Sequence, residues 1–264
     1  MNNMEIRRRQ YLQAMGIDLW ERSPDSSLSL IAPMNQAIAL GVLPPETPVL
    51  TGAPETRIVQ GRSQPAHDAA DPARSAIMGM SWPELEQAVR ACTRCALHKT
   101  RTQAVFGVGN RQAQWLVIGE APGADEDRQG EPFVGRAGQL LNSMLKAIGL
   151  DREQVYIANI LKSRPPDNRD PLPEEVAACE PYLKRQIELI KPKVILAVGR
   201  IAAQNLLKTD TKIGALRGQR HVYPGSDIPV VVTYHPAYLL RSPQEKRKAW
   251  EDLKLAQRVF KGET

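Results

Sequence analysis

The chain has 264 residues, 42% of them hydrophobic, which is enough for one large or two small domains with a real core. It carries 35 Lys and Arg against 29 Asp and Glu, a net charge of +6, and three cysteines. No run of about 18 apolar residues is present, so no membrane span is expected; the odd cysteine count argues against a disulfide framework; and MNNMEIRRRQ lacks the apolar stretch of a secretory leader, so a cytoplasmic protein is expected.

The charge is uneven. Residues 1–84 hold 7 basic and 9 acidic side chains, a net −2, whereas residues 85–264 hold 28 and 20, a net +8. A basic folded part suits a polyanionic partner such as nucleic acid, because Lys and Arg neutralise phosphates and release counterions. An ordinary basic surface would look the same.

In chain order, residues 7–20 (RRRQYLQAMGIDLW) place Tyr11, Leu12, Met15 and Leu19 on one helical stripe, weakened by Gly16. Residues 1–22 are therefore expected to form a short helical segment. Residues 23–80 contain eight prolines, and no Phe, Trp or Tyr occurs between Trp20 and Trp82. Such a stretch buries little and reads as a flexible linker. A domain is expected over 81–264. It opens at Ser81-Trp82-Pro83-Glu84, with Ser as N-cap, Pro in the first turn and Glu at the third position. That helix delivers Cys92-Thr-Arg-Cys95, a C-x2-C pair that suits metal, cluster or redox chemistry.

Strands and helices then alternate. Strands are expected at 114–120, 155–161, 193–199 and 228–234, and helices at 135–149, 173–190, 200–208 and 243–260. This is the pattern of βαβ units on a mainly parallel sheet, hence an α/β fold with a three-layer α/β/α sandwich behind a flexible N-terminal arm. In such sheets ligands bind at the carboxyl ends of the strands.

Every unusual loop falls at such an end. Gly119-Glu120-Ala121-Pro122-Gly123 allows close backbone approach to a ligand, and the acids after it, Glu126 among them, cluster beyond the strand. An ordinary solvated turn would look similar. Gly130-Glu131-Pro132-Phe133-Val134-Gly135 offers Phe133 as a flat platform for a base, or as an anchor to the core. Asn159 closes a hydrophobic strand and offers a donor and an acceptor together, for an amide-like base or for a cap. His235-Pro-Ala-Tyr238-Leu239-Leu240-Arg241 combines an imidazole that can donate to an oxyanion with an apolar wedge and a cation that can grip a phosphate.

Taken together and in order, these loops resemble the family 4, thermostable iron–sulfur type of uracil-DNA glycosylases. The resemblance runs over residues 85–264 and includes FGVGN (106–110), GEAPG (119–123), G-x-PFVG-x-AG (130–138), YIANILK-x-RPP-x-NR (156–169), AVG (197–199) and HPAYLLR (235–241). It implies a DNA-repair hydrolase, nucleoid-associated, that flips uracil out of DNA and cleaves its N-glycosidic bond as a monomer. Phe133 would stack on uracil and Asn159 would read its polar edge. Gly119, Glu120 and Ala121 would complete recognition. His235 would stabilise charge on the leaving base, with Glu120 and Glu126 as further catalytic candidates and Glu126 orienting the water. Arg164, Tyr238, Leu239, Leu240 and Arg241 would touch DNA.

The family also implies a [4Fe–4S] cluster on four cysteines. Cys92, Cys95 and Cys179 match three, and Ser163 stands where the fourth is expected, a poor ligand beside thiolate. If a cluster forms, Ser163, His98 or water would have to hold the fourth iron. Other uracil glycosylases place a catalytic Asp in the first loop, where this chain has Ala121, so the water-activating residue is left open. The KRRIH-like insertion of relatives that crosslink to abasic DNA is absent, and that activity is not expected. The alternative function is a DNA-binding or replisome-associated module that keeps the fold without turnover, favoured by Ser163. A redox-sensing cluster protein would rest on the cysteines alone. Residues 7–20 also resemble the extreme N-terminus of the psi subunit of the bacterial clamp loader, which implies the chi subunit as a partner.

Overall fold

The structure is a computed structural model that describes residues 9, 10, 13 and 72–263. Residues 9, 10 and 13 are helical; the rest of the expected docking segment, and the expected linker as far as residue 71, lie outside the described residues.

The sheet has six strands: β1 Val108–Gly109, β2 Trp115–Gly119, β3 Tyr156–Asn159, β4 Val194–Val198, β5 Arg220–Val222 and β6 Pro229–Thr233, in the order β1-β3-β2-β4-β6-β5. The four central strands are parallel, and the short edges β1 and β5 pair antiparallel with β3 and β6. The helices are α1 Pro72–Met78, α2 Trp82–Arg90, α3 Ala124–Gln129, α4 Arg136–Ala147, α5 Pro173–Ile190, α6 Arg200–Leu207, α7 Ile213–Leu216, α8 Pro236–Arg241 and α9 Lys246–Lys261.

The strands alternate between two cores. Trp115, Val117, Ile157, Leu196, Val198 and Val231 face one side with Leu141, Met144 and Leu145 of α4 and Trp250 and Leu253 of α9. Leu116, Ile118, Ala158, Ile195, Ala197 and Val232 face the other with Leu183 and Ile187 of α5 and Ala203 and Leu206 of α6. Both faces of β2 and β4 are covered, which is why they read as unbroken apolar runs rather than alternating ones. This is the expected α/β/α sandwich. A bidentate Arg217–Asp252 pair, 3.0 and 2.8 Å, ties the segment after α7 to α9, with Asp252 fully buried. No helix among the described residues is long and apolar enough to cross a membrane.

Two expectations need correction. The linker does not extend to residue 80, because residues 72–78 form α1. Ile77 packs with Leu85, Val89, Phe106 and Tyr182, and Arg74 pairs with Glu180 of α5 at 3.2 Å. Ala73, Ala76 and Ile77 give this short stretch enough helix propensity and one buried anchor. Second, HPAYLLR is not a loop beyond its first residue. His235 caps α8, its Nδ1 accepting the Ala237 N–H at 3.1 Å, and Pro236 sits at the first helical position. The expected start at Ser81 holds: its N–H and Oγ both donate to Glu84 Oε2, at 2.8 and 2.6 Å.

Removing residues 1–80 therefore strips Ile77 from a core cluster, a loss of order 2–4 kcal/mol by analogy with large-to-small core changes. A melting temperature lowered by several degrees is expected for that truncation, and an unchanged one would show that α1 contributes nothing.

Candidate active site

The carboxyl ends of β2, β3 and β6 open on a cavity of about 460 Å³. Glu120, Ala121, Glu126, Phe133, Asn159, His235, Tyr238 and Arg241 all line it, so the structure gathers most of the residues singled out in the sequence.

The floor follows from one register. Gly119 and Asn159 are partners at the ends of β2 and β3. A Cβ on Gly119 would fall 2.5 Å from Asn159 Oδ1 and 2.6 Å from Phe133 Cζ, so the Asn amide and the Phe ring close over the place where another residue would project. Asn159 is 2% exposed, and its Oδ1 is buried without a hydrogen-bond partner. A buried acceptor left unpaired is costly unless something fills the site.

Phe133 is 6% exposed and adopts a left-handed backbone, φ 55°, unusual for a bulky residue and a mark of local strain at a site. Arg152 holds that turn through the carbonyls of Pro132, 2.5 Å, and Phe133, 3.2 Å. Gly138 of α4 lets the turn pack down, since a Cβ there would lie 1.8 Å from the Phe133 oxygen. The Phe133 and His235 rings stack with centroids 5.6 Å apart and planes at 29°.

His235 is uncharged near neutrality. Burial pushes its imidazole down to about 4, Arg241 adds to the shift and Glu126 opposes it. Nδ1 accepts the Ala237 amide, so the proton of the neutral ring sits on Nε2, which is left as a donor. Glu120 moves the other way. Burial, then the charge of Asp170, raises its carboxyl to about 7, with Arg200 opposing.

Glu126, which lines the cavity, is also bound into the framework of the loops. Its Oε1 accepts the N–H groups of Val134, 3.0 Å, and Gly135, 3.2 Å, and its Oε2 accepts that of Gly123, 3.1 Å. The carboxylate staples the first loop to the Phe133 loop, an N-terminal use of an acid that suits α3. Its oxygens accept three backbone amides, and the residue still lines the cavity.

Leu239 also needs correction. It is 1% exposed within the core that α4 and α9 share, because α8 turns it inward, and it cannot wedge into DNA. Tyr238 and Leu240, 38% and 37% exposed, stay on the surface. Arg164 lies outside the cavity and braces the following turn, its Nε donating to Asn168 Oδ1 at 2.8 Å. In that turn Asp167 and Asn168 are left-handed, at φ 54° and 53°. Asn168, Arg169 and Asp170 line the cavity, and the sequence reading missed them. Arg169 is held bidentately by buried Glu175, at 2.9 and 2.6 Å, and Asp170 by Arg200 at 2.5 Å. The RPP-x-NR run was the available signal, since a Pro-rich strand-end loop with both charges marks a shaped wall.

The cysteine corner lies to one side. Cys179 packs with Leu97 and Leu161, and Cys95 and Ala121 lie against them. Arg101 Nη1 donates to Ser163 Oγ at 2.8 Å, and its Nη2 donates to the carbonyls of Arg90 and Cys92, at 2.9 and 3.0 Å. His98 Nδ1 bonds the Cys95 carbonyl at 2.7 Å. Among the described residues, no three His, Cys, Asp or Glu side chains form a group able to hold a metal ion.

Comparison with known proteins places this geometry. The uracil DNA glycosylase superfamily model matches residues 106–254. The type-4 uracil-DNA glycosylase of Archaeoglobus fulgidus is 48% identical over 180 residues, 66% of this chain and 90% of that protein. The one from Thermotoga maritima is 43% identical over 182 residues, 68% and 94% of the two chains. A type-5 uracil-DNA glycosylase of Pyrobaculum aerophilum is 31% identical over 146 residues, 50% and 64% of the chains.

Two measurements test the site. Gly119→Ala puts a methyl where Asn159 and Phe133 meet and is expected to abolish ligand entry while leaving a folded chain; unaltered activity would mean that the floor is misplaced. Glu120 tests the electrostatics. Its folded value, about 7, lies above the 4.5 of a free carboxyl, so the folded chain keeps this proton to higher pH. Stability then falls as pH rises from about 4.5 to about 7 and stays lower above that. Glu120→Gln cannot ionise. It should raise the melting temperature relative to the parent at about pH 8 and leave little difference at about pH 4. Equal differences at both would show that Glu120 does not titrate this way.

Proposed function

Because the chain belongs to the type-4 family of uracil-DNA glycosylases, it is a DNA-repair enzyme that excises uracil from DNA, and we propose how its cleft does so. A uridine rotates out of the stack and its base enters the cavity at the strand ends. The Phe133 ring supplies the flat face against which the base lies. Asn159 reads the polar edge. The single observation that carries this reading is the buried, unpartnered Oδ1 of this cavity-lining residue, an acceptor that the imide N–H of uracil would satisfy.

The bond from sugar C1′ to base N1 then breaks, and its electron pair leaves on uracil. Nε2–H of neutral His235 donates to the oxygen on which that charge develops. A neutral donor stabilises the anion without first protonating the base. Water adds to the electron-poor C1′; its second proton is lost to a base, and uracil takes up a proton on release. Glu120 is the carboxyl placed to orient that water, since Glu126 is engaged by three amides and Ala121 has no functional group. A carboxyl raised to about 7 is a serviceable base near neutrality. Arg241 and Arg169 at the cavity rim, with exposed Tyr238 and Leu240, face the backbone on either side of the flipped nucleotide.

A [4Fe–4S] cluster on Cys92, Cys95 and Cys179 does not fit the residues present, because only the Ser163 hydroxyl, His98 or water is left for its fourth iron. The corner offers three thiols and the Ser163 hydroxyl, and Arg101 already donates to that hydroxyl. No step of the reaction is routed through such a group. Anaerobically prepared protein is expected to hold fewer than four irons per chain. Four irons, with a melting temperature that collapses on their removal, would overturn this reading.

Incubation with a uracil-containing oligonucleotide followed by alkali should yield strand breaks at the uracil. His235→Ala should slow the single-turnover step about 100- to 1000-fold, the usual cost of losing one oxyanion donor. Phe133→Ala and Asn159→Ala should also slow it, Asn159→Ala with a relaxed preference for uracil. Unaltered rates in all three variants would place the pocket elsewhere.

A further inference from the structure

Behind the cavity floor lies a buried polar chain that the reaction above does not use. Lys162 is 2% exposed. Its Nζ donates to the main-chain oxygen of Asn159 at 3.0 Å and to Gln186 Oε1 at 2.7 Å. Gln186, fully buried on α5, turns its Nε2 to the Phe106 carbonyl, 2.9 Å, and to the Tyr156 hydroxyl, 3.3 Å. Both ends of the Gln amide are therefore spoken for, which fixes which end faces the lysine.

A buried amine is an expensive way to fill this volume, because it must be stripped of water, and methionine would fill it without that cost. What the amine adds is direction. The peptide unit between Asn159 and Ile160 is gripped at both ends: Lys162 Nζ holds its oxygen, and its N–H donates to the Gly119 carbonyl at 3.0 Å. The next N–H, of Leu161, donates to the Glu120 carbonyl at 3.0 Å, and the Lys162 carbonyl accepts the Val105 N–H at 2.8 Å. With that peptide plane fixed, the backbone of Asn159 cannot rotate, and its Cα–Cβ bond keeps one aim into the cavity.

We propose that Lys162, anchored by Gln186, is a positioning residue that sets the aim of Asn159 and thereby the selectivity of the base pocket. It acts through Asn159 and touches neither substrate nor DNA. The inference rests on the assignment of Asn159 to base readout, so the experiment includes Asn159→Ala.

The test compares Lys162→Met, Gln186→Leu and Gln186→Glu with the parent in three measurements: inhibition by free uracil, affinity for an oligonucleotide carrying an abasic site, and melting temperature. Lys162→Met and Gln186→Leu are expected to weaken inhibition by uracil about 10-fold or more while leaving abasic-site affinity within about 2-fold. Gln186→Glu keeps an acceptor for the amine and is expected to retain most of the uracil inhibition. Should Lys162→Met fail to fold, the contrast between Gln186→Leu and Gln186→Glu decides. Unaltered uracil inhibition in a folded Lys162→Met or Gln186→Leu, alongside a loss in Asn159→Ala, overturns this proposal alone. Unaltered inhibition in Asn159→Ala overturns the base-reading assignment itself. Equal losses of uracil and abasic-site affinity would make Lys162 a general packing residue and also overturn the proposal.

Discussion

The missing side chain at position 119 is the condition on which the pocket depends. Parallel pairing puts Gly119 beside Asn159 at the end of the sheet, and the space a Cβ would take is occupied by the Asn amide and the Phe133 ring. Everything above that floor follows. Phe133 reaches it only by taking a left-handed turn, the turn is held by Arg152 and by close packing on Gly138, and the imidazole of His235 stacks on the ring that results. A pocket for a flat base is thus made by subtraction at one backbone position and strain at another, both supported by a rigid four-strand parallel core.

Electrostatics divides the labour among groups that look alike in sequence. Glu120 and Glu126 lie six positions apart in one acidic stretch, the first in the loop after β2 and the second in α3. One meets burial and a neighbouring carboxylate and holds its proton to about 7; the other accepts three amides and becomes part of the framework. His235 is kept neutral by burial with one ring nitrogen committed to its own helix, so the pocket stabilises negative charge with a dipole rather than a cation.

The central strands and long helices were legible because their signals are strong and local: apolar runs such as WLVIG and VILAV, and the 18-residue α5, whose bounds match the sequence pattern. The four chemical loops were legible as well, through motif order. What was hidden depended on phase or on distance. Leu239 and Leu240 are indistinguishable as letters, and only the α8 geometry sends one inward. The two edge strands are too short to leave a pattern. Arg200 meets Asp170, and Gln186 meets Lys162, across 30 and 24 positions, which no local spacing announces.

Those edges carry a consequence of their own. The parallel core is rich in valine and isoleucine, a composition that would template another chain if its border lay open. Here the border strands are only two and three residues long, with Arg220 and Val222 the exposed positions of β5. Little unpaired backbone is left for a second molecule to zip onto. An enzyme that acts on DNA gains colloidal tolerance from this blunting, independently of anything that happens in the pocket.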